Sequence, residues 1–199
     1  MRRLVLIAAM MSIVMVSLVT LSGCGYNDLQ QQDEAITARW AQVLNQYQRR
    51  FDLIPNLVRV VQAYADHERE VLEEVTAARA SIANGEKISP DNPKSLTNYV
   101  QAQDRLGKAV AHLLLVCENY PQLKADGVFQ DLQTQLEGTE NRITYARAKY
   151  IESVAQYNVT VRSFPSNLTA KYMGYKVKPN FSVDNESAIA SAPVVDLHK

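Results

Sequence analysis

The sequence predicts an all-α protein, an antiparallel four-helix bundle with a C-terminal segment packed back on it and a disordered tail. Three observations carry this. Only 7 Gly and 7 Pro occur in 199 residues, so helix breakers are scarce. Apolar side chains make up 47% of the chain, enough for a packed core. Four successive apolar stripes advance in steps of three, four or seven residues, the period of one helix face. Lys plus Arg and Asp plus Glu number 21 each, so the chain lacks the basic footprint of a nucleic-acid binder.

The N-terminus reads Met1-Arg2-Arg3, followed by an apolar run over residues 4–21 in which Ser12, Ser17 and Thr20 are the polar members. The run is long enough to span a bilayer. It also has the charged start and apolar body of a secretory signal. Leu21-Ser22-Gly23-Cys24 favours the second reading, because it resembles the lipobox of bacterial lipoproteins. A branched residue followed by two small ones fits a narrow peptidase groove, and a thiol follows to take a diacylglycerol. The resemblance implies lipidation of Cys24, cleavage before it, and acylation of the new amine, so residues 1–23 are expected to be a signal peptide. An uncleaved anchor with an incidental cysteine is the alternative. Several acyl chains hold firmly where one holds weakly, at about 0.8 kcal/mol per buried methylene. Cys117, in an apolar stretch, reads as a small buried hydrophobe.

The first stripe after Cys24 is Leu29, Ile36, Trp40, Val43 with Leu44, Tyr47 and Phe51, predicting a helix from about residue 28 to 50. Pro55 then disfavours a helix interior but suits a first turn, and Asp52 can cap that start. The expectation is a break near Asp52; one helix continuing through Pro55 with a kink is the alternative. The second stripe is Ile54, Leu57, Val61, Tyr64 with Ala65, Val71 with Leu72, Val75, Ala78 and Ile82, ending near Asn84-Gly85. A loop with turn chemistry follows over residues 86–93. The third stripe runs from Leu96 to Tyr120, stopped by Pro121. The fourth, the most regular, runs from Phe129 through Leu136, Ile143, Tyr150 and Tyr157 to Phe164, stopped by Pro165. Such heptad spacing suits bundle packing at a shallow angle. Residues 166–181 keep Leu168, Tyr172, Met173, Tyr175 and Phe181 and are expected to fold back. Residues 182–199 are small, polar and patternless, and are expected to be disordered.

With the stripes in hand, the chain resembles the LemA family of bacterial envelope proteins. The motifs that carry the resemblance are Tyr26-Asn27-Asp28-Leu29, Arg49-Arg50-Phe51-Asp52-Leu53-Ile54-Pro55-Asn56-Leu57-Val58, and Tyr64-Ala65-Asp66-His67-Glu68. Further along come Glu118-Asn119-Tyr120-Pro121, Gly138-Thr139-Glu140-Asn141-Arg142-Ile143, Tyr157-Asn158 and Phe164-Pro165. The resemblance implies a four-helix bundle over residues 24–181, anchored at its N-terminus and facing away from the cytoplasm, and implies no enzyme chemistry. Members usually keep an uncleaved membrane helix; here a lipobox ends that segment. Gly25, where an Asp would retain the protein at the inner membrane by resemblance to enteric-type sorting, favours the outer membrane.

Polar residues on or beside the seams are the natural site candidates: Asp33, Glu68, Gln103 and Glu140. Carboxylate metal bundles use Glu-x-x-His pairs on two helices, and the sequence has none. His67 directly precedes Glu68, so the two point to different helix faces. The expected role is a buried polar network that fixes helix register. Arg49 and Arg50 read as a solvated face or a tie between the first two helices. No metal, cofactor or catalytic residue is assigned. The motif residues Arg50, Asp52, Pro55, Asn56, His67, Glu68, Glu140, Asn141, Tyr157 and Asn158 are expected to serve structure or interaction. The function expected is a membrane-anchored, non-catalytic interaction module facing the periplasm, with another envelope protein as partner and no nucleic acid. The alternative is a metal-binding or enzymatic bundle with a site around Glu68 and Glu140.

Overall fold

The structure of the protein, a computed structural model, describes residues 2–83, 88 and 91–181, without the side chains of residues 2–9 and 13–24. The expected disordered tail, most of the 84–90 loop and the side chains of the Leu21-Ser22-Gly23-Cys24 box therefore lie outside the described residues. The described chain is all-helical, with α1 (Arg2–Tyr64), α2 (Arg69–Ala83), α3 (Pro93–Cys117), the single turn α4 (Pro121–Lys124), α5 (Gly127–Arg162) and α6 (Ser166–Met173). Among the residues whose side chains are described, no helix is long and apolar enough to cross a membrane.

The break expected near Asp52 does not occur. α1 runs through Pro55 as one helix of 63 residues, about 95 Å at 1.5 Å per residue. Proline removes the amide that would bond the carbonyl of Phe51. α2 supplies a replacement: Arg79 Nε donates to Phe51 O at 3.3 Å, and the Arg79 guanidinium lies 3.9 Å over the Phe51 ring. Asp52 caps nothing; it is exposed and accepts from Gln48 Nε2 at 2.7 Å, one turn back in the same helix.

The chain turns instead at residues 65–68, inside the second expected helix. Glu68 N bonds Ala65 O at 3.2 Å, and Leu72 N bonds Glu68 O at 3.1 Å, starting α2. This reversal makes two antiparallel pairs possible. α2 lies along α3, with His112 Nδ1 2.9 Å from Glu74 Oε2. α1 lies along α5, with Trp40 against Tyr150 at a ring-centroid distance of 5.4 Å. α3 begins where its sequence directs: Asn92 Oδ1 accepts from the amides of Lys94 and Ser95, and Pro93 takes the first turn. Asp126 caps α5 in the same way, through Val128 N and Phe129 N.

The core divides along the bundle. One cluster joins Ile54, Leu57 and Val61 to α2, α3, Leu123 and Phe129. The other joins Leu29, Ile36, Trp40 and Tyr47 to Leu96, Tyr150, Val154 and Tyr157. In α1 they meet between Tyr47 and Ile54. Residues 175–181 run back along the second cluster, where Phe181 stacks on Tyr150 at 5.0 Å and on Trp40 at 6.0 Å. Three residues of the expected stripes leave the core. Tyr64, at the end of α1, is exposed. Phe51 is half-buried while Arg50 takes the seam position. Phe164 is 78% exposed, because α5 ends before it.

Candidate functional site

The junction of the two cores is polar. Arg50 follows Tyr47 by three residues and precedes Ile54 by four, so its Cβ lies on the apolar face. The side chain is only 3% exposed. Nη1 donates to Glu140 Oε1 at 2.9 Å, and Nη2 donates to both the backbone oxygen and Oε1 of Gln103 at 2.7 Å. Gln103 Nε2 in turn donates to Tyr99 Oη at 3.0 Å. One guanidinium thus clamps α1, α3 and α5. Gly107 makes room for it, since a Cβ there would stand 3.0 Å from Arg50 Nη1. Of the two roles expected for Arg50, the solvated face is overturned by its burial, and the tie runs from α1 to α3 and α5 rather than between the first two helices; the fork of donors suits such partners. Arg50 Nε and the Tyr47 hydroxyl remain without a protein partner. Beside the clamp, Arg147 Nη1 meets Asp104 Oδ1 at 3.0 Å.

Glu68 sits at the far tip. The Tyr120 hydroxyl donates to Glu68 Oε1 at 2.5 Å and lies 2.7 Å from His67 Nε2. A phenol has one proton, so donating to Glu68 leaves it to accept from a proton on His67 Nε2. The bond to the Glu68 carboxylate pushes the Tyr120 hydroxyl up to about 12. Alongside, the Tyr64 hydroxyl donates to Asp126 Oδ2 at 2.8 Å, which holds the Asp126 carboxyl below the usual range, helped by the Phe129 amide. The tip is therefore a second tie, joining the α1–α2 turn to the α3–α4 junction through Tyr120 and the end of α1 to the start of α5 through Tyr64.

A third tie closes the opposite end. The Asn158 side chain donates to Lys178 O at 2.9 Å and accepts from Lys178 N at 2.8 Å, holding both backbone groups of the returning segment at that residue. Lys178 Nζ reaches Asp33 at 2.9 Å and Asp91 at 2.7 Å. Burial pulls this ammonium down, but the bonds to Asp91 and Asp33 outweigh it and hold the group above its usual value. Lys178, Asp33 and Asp91, with Tyr157 and Tyr175, line an open groove of about 440 Å³.

The seam residues thus separate. Gln103 and Glu140 meet through Arg50, Glu68 lies at one end, and Asp33 lies at the other. Glu140 pairs with Arg50, whereas Glu68 lies beyond Tyr64, at least 14 residues along α1 or about 20 Å. The single site around both Glu68 and Glu140 does not form. Among the described residues, no group of three or more His, Cys, Asp or Glu is placed to hold a metal ion. Asn56 and Asn141 are exposed. Cys117 is a buried free thiol, pushed up to about 11 chiefly by burial, which disfavours the reactive thiolate. The ties at Tyr64, Asp126 and Arg79 are not legible in the sequence: Tyr64 to Val71 and Ala65 to Leu72 are both steps of seven, so the stripe carries no break at the turn.

This geometry defines a class: a helical rod whose polar motif residues join helix to helix. The chain belongs to the LemA family, whose sequence profile it matches over residues 39–197. The match begins after the Tyr26-Asn27-Asp28-Leu29 motif and reaches beyond residue 181. The chain is also similar to the magnetosome protein MamQ of Magnetospirillum gryphiswaldense, 22% identical over 96% of this chain and 75% of that protein. It is similar as well to the magnetosome protein MamQ 2 of Paramagnetospirillum magneticum, 23% identical over 85% of this chain and 68% of that one.

Proposed function

We propose that this chain is a lipid-anchored, non-catalytic scaffold of the bacterial envelope, facing the periplasm. In this reading Cys24 carries the lipid, residues 1–23 are removed, and Gly25 directs the protein to the outer membrane. The bundle then presents its exposed faces to another envelope protein. One observation carries the scaffold half: Arg50, Glu140, His67, Glu68 and Asn158 each make a hydrogen bond that ties one element to another. A catalytic set would instead converge on one reactive point. The relatives named as magnetosome proteins support a bacterial membrane setting. The tether half rests on Leu21-Ser22-Gly23-Cys24 at the end of an apolar run.

Intact-mass spectrometry of the protein from a bacterial host tests the tether. The expected product begins at Cys24 and carries diacylglycerol and an added acyl chain, while Cys24→Ser keeps residues 1–23 attached. A freely soluble form with an unmodified thiol overturns it. Crosslinking in cells tests the scaffold: a heteromeric adduct is expected, and monomer alone counts against it. Stoichiometric metal in the purified protein that is lost with Glu68→Ala, with the fold intact, would replace the scaffold reading by an enzymatic or metal-binding one.

A further inference from the structure

The end of the bundle beside the anchor carries an apolar surface that no described element covers. α6 turns Ala170 inward, at 1% exposure. Leu168 and Tyr172, one turn apart and on the opposite side, are 61% and 89% exposed. Phe164, just before α6, adds a third exposed apolar side chain. Large apolar residues exposed together at one end of the bundle point to an interaction site more than single ones scattered over a surface do.

Its position says what covers it. A Cβ on Gly25 would lie 3.3 Å from Ser166 Oγ, so the first turn of α6 packs on the residue that follows Cys24. Either anchor, lipid on Cys24 or an uncleaved span over residues 4–21, puts Gly25 at the bilayer surface and α6 with it. The charge agrees. From residue 153 to 183 the chain has no Asp or Glu. Arg162, Lys171 and Lys176 are all exposed there, whereas Asp28 is the first acidic residue of α1. Apolar side chains flanked by cations are the composition of a helix that lies in the headgroup region of anionic lipid.

We infer that the face of α6 bearing Leu168 and Tyr172, with Phe164, docks on the anionic bilayer surface next to the anchor, a second contact that sets the tilt of the rod. This rests on the anchored reading above. The test uses the full chain, extracted and reconstituted into vesicles of phosphatidylethanolamine and phosphatidylglycerol with brominated acyl chains. Tryptophan is introduced by Tyr172→Trp or, at the far end of the bundle, by Val128→Trp, with the buried Trp40 of the parent as baseline. Quenching severalfold stronger for Tyr172→Trp than for Val128→Trp is expected, and it falls when phosphatidylglycerol is omitted. Equal quenching in protein that floats with the vesicles overturns the docking and leaves the anchor standing. Protein that does not float overturns both. A dimer in detergent that Leu168→Asp converts to monomer, with Tyr172→Trp shielded from brominated lipid, assigns the patch to a second copy and also overturns the inference.

Discussion

Arg50 shows how much one side chain can organise. Removing it with Arg50→Met leaves the buried Gln103 O and Oε1 without the donor they share, and an unsatisfied buried polar group is costly. A loss of about 2–4 kcal/mol is expected in urea unfolding. Arg50→Lys should recover little, since an ammonium cannot reproduce the fork. Glu140→Gln should cost about 1–3 kcal/mol, because the amide oxygen can still accept from Arg50 but a guanidinium that is 3% exposed loses the charge paired with it. Gly107→Ala is a sharper probe. In a helix interior the change gains about 1 kcal/mol from propensity, so net destabilisation would show that the added Cβ displaces the guanidinium. Gln103 and Glu140 could be named from the sequence because they lie on or near a stripe. The burial of Arg50 could not, because Arg49-Arg50 next to Phe51 offers two phases for the same stripe, and only partners on α3 and α5 choose between them.

At the scale of elements, Pro55 and the 65–68 turn exchange the roles that local signals give them. Proline should end a helix, and the Tyr64-Ala65-Asp66-His67-Glu68 stretch has no Gly or Pro to do so. The structure continues through the first and stops at the second, because long-range partners are available at each. A double-mutant cycle tests the first case. Arg79→Ala should cost about 1 kcal/mol by removing the donor to Phe51 O. In a Pro55→Ala background the cost should shrink, since an amide at residue 55 restores the helical bond. Equal costs in both backgrounds would refute the compensation. For the turn, Tyr120→Phe removes the hydroxyl that bridges His67 and Glu68. Faster amide hydrogen exchange at Glu68 and Leu72 is the expected result, with the middle of α5 unchanged.

For the whole molecule, the buried tyrosines tie stability to alkaline pH. Burial pushes the Tyr47 and Tyr150 hydroxyls up to about 12, against an unfolded value of about 10. Between those values the folded chain holds more protons than the unfolded one, so stability falls as pH rises. It is undiminished below about pH 10 and lost progressively through about pH 12. Tyr47→Phe and Tyr150→Phe should therefore each lose less helical ellipticity than the parent between about pH 10 and 12, relative to their values at neutral pH. An alkaline loss of ellipticity identical in parent and variants would contradict the linkage. Both tyrosines belong to the core cluster on the anchor side, so that half should open first.

The all-helical class and the four stripes are legible in the sequence because they follow from composition and periodicity, and the return of the C-terminal segment because it keeps the apolar Tyr175 and Phe181. What the tertiary structure alone decided is where α1 ends, which arginine is buried, and which carboxylates meet. Those outcomes depend on donors and acceptors supplied from elsewhere in the chain: Arg79 for the Phe51 carbonyl, Gln103 for Arg50, and Tyr120 for Glu68. A buried polar group is tolerated only where such a partner arrives, and the arrival is a property of the fold rather than of any local stretch.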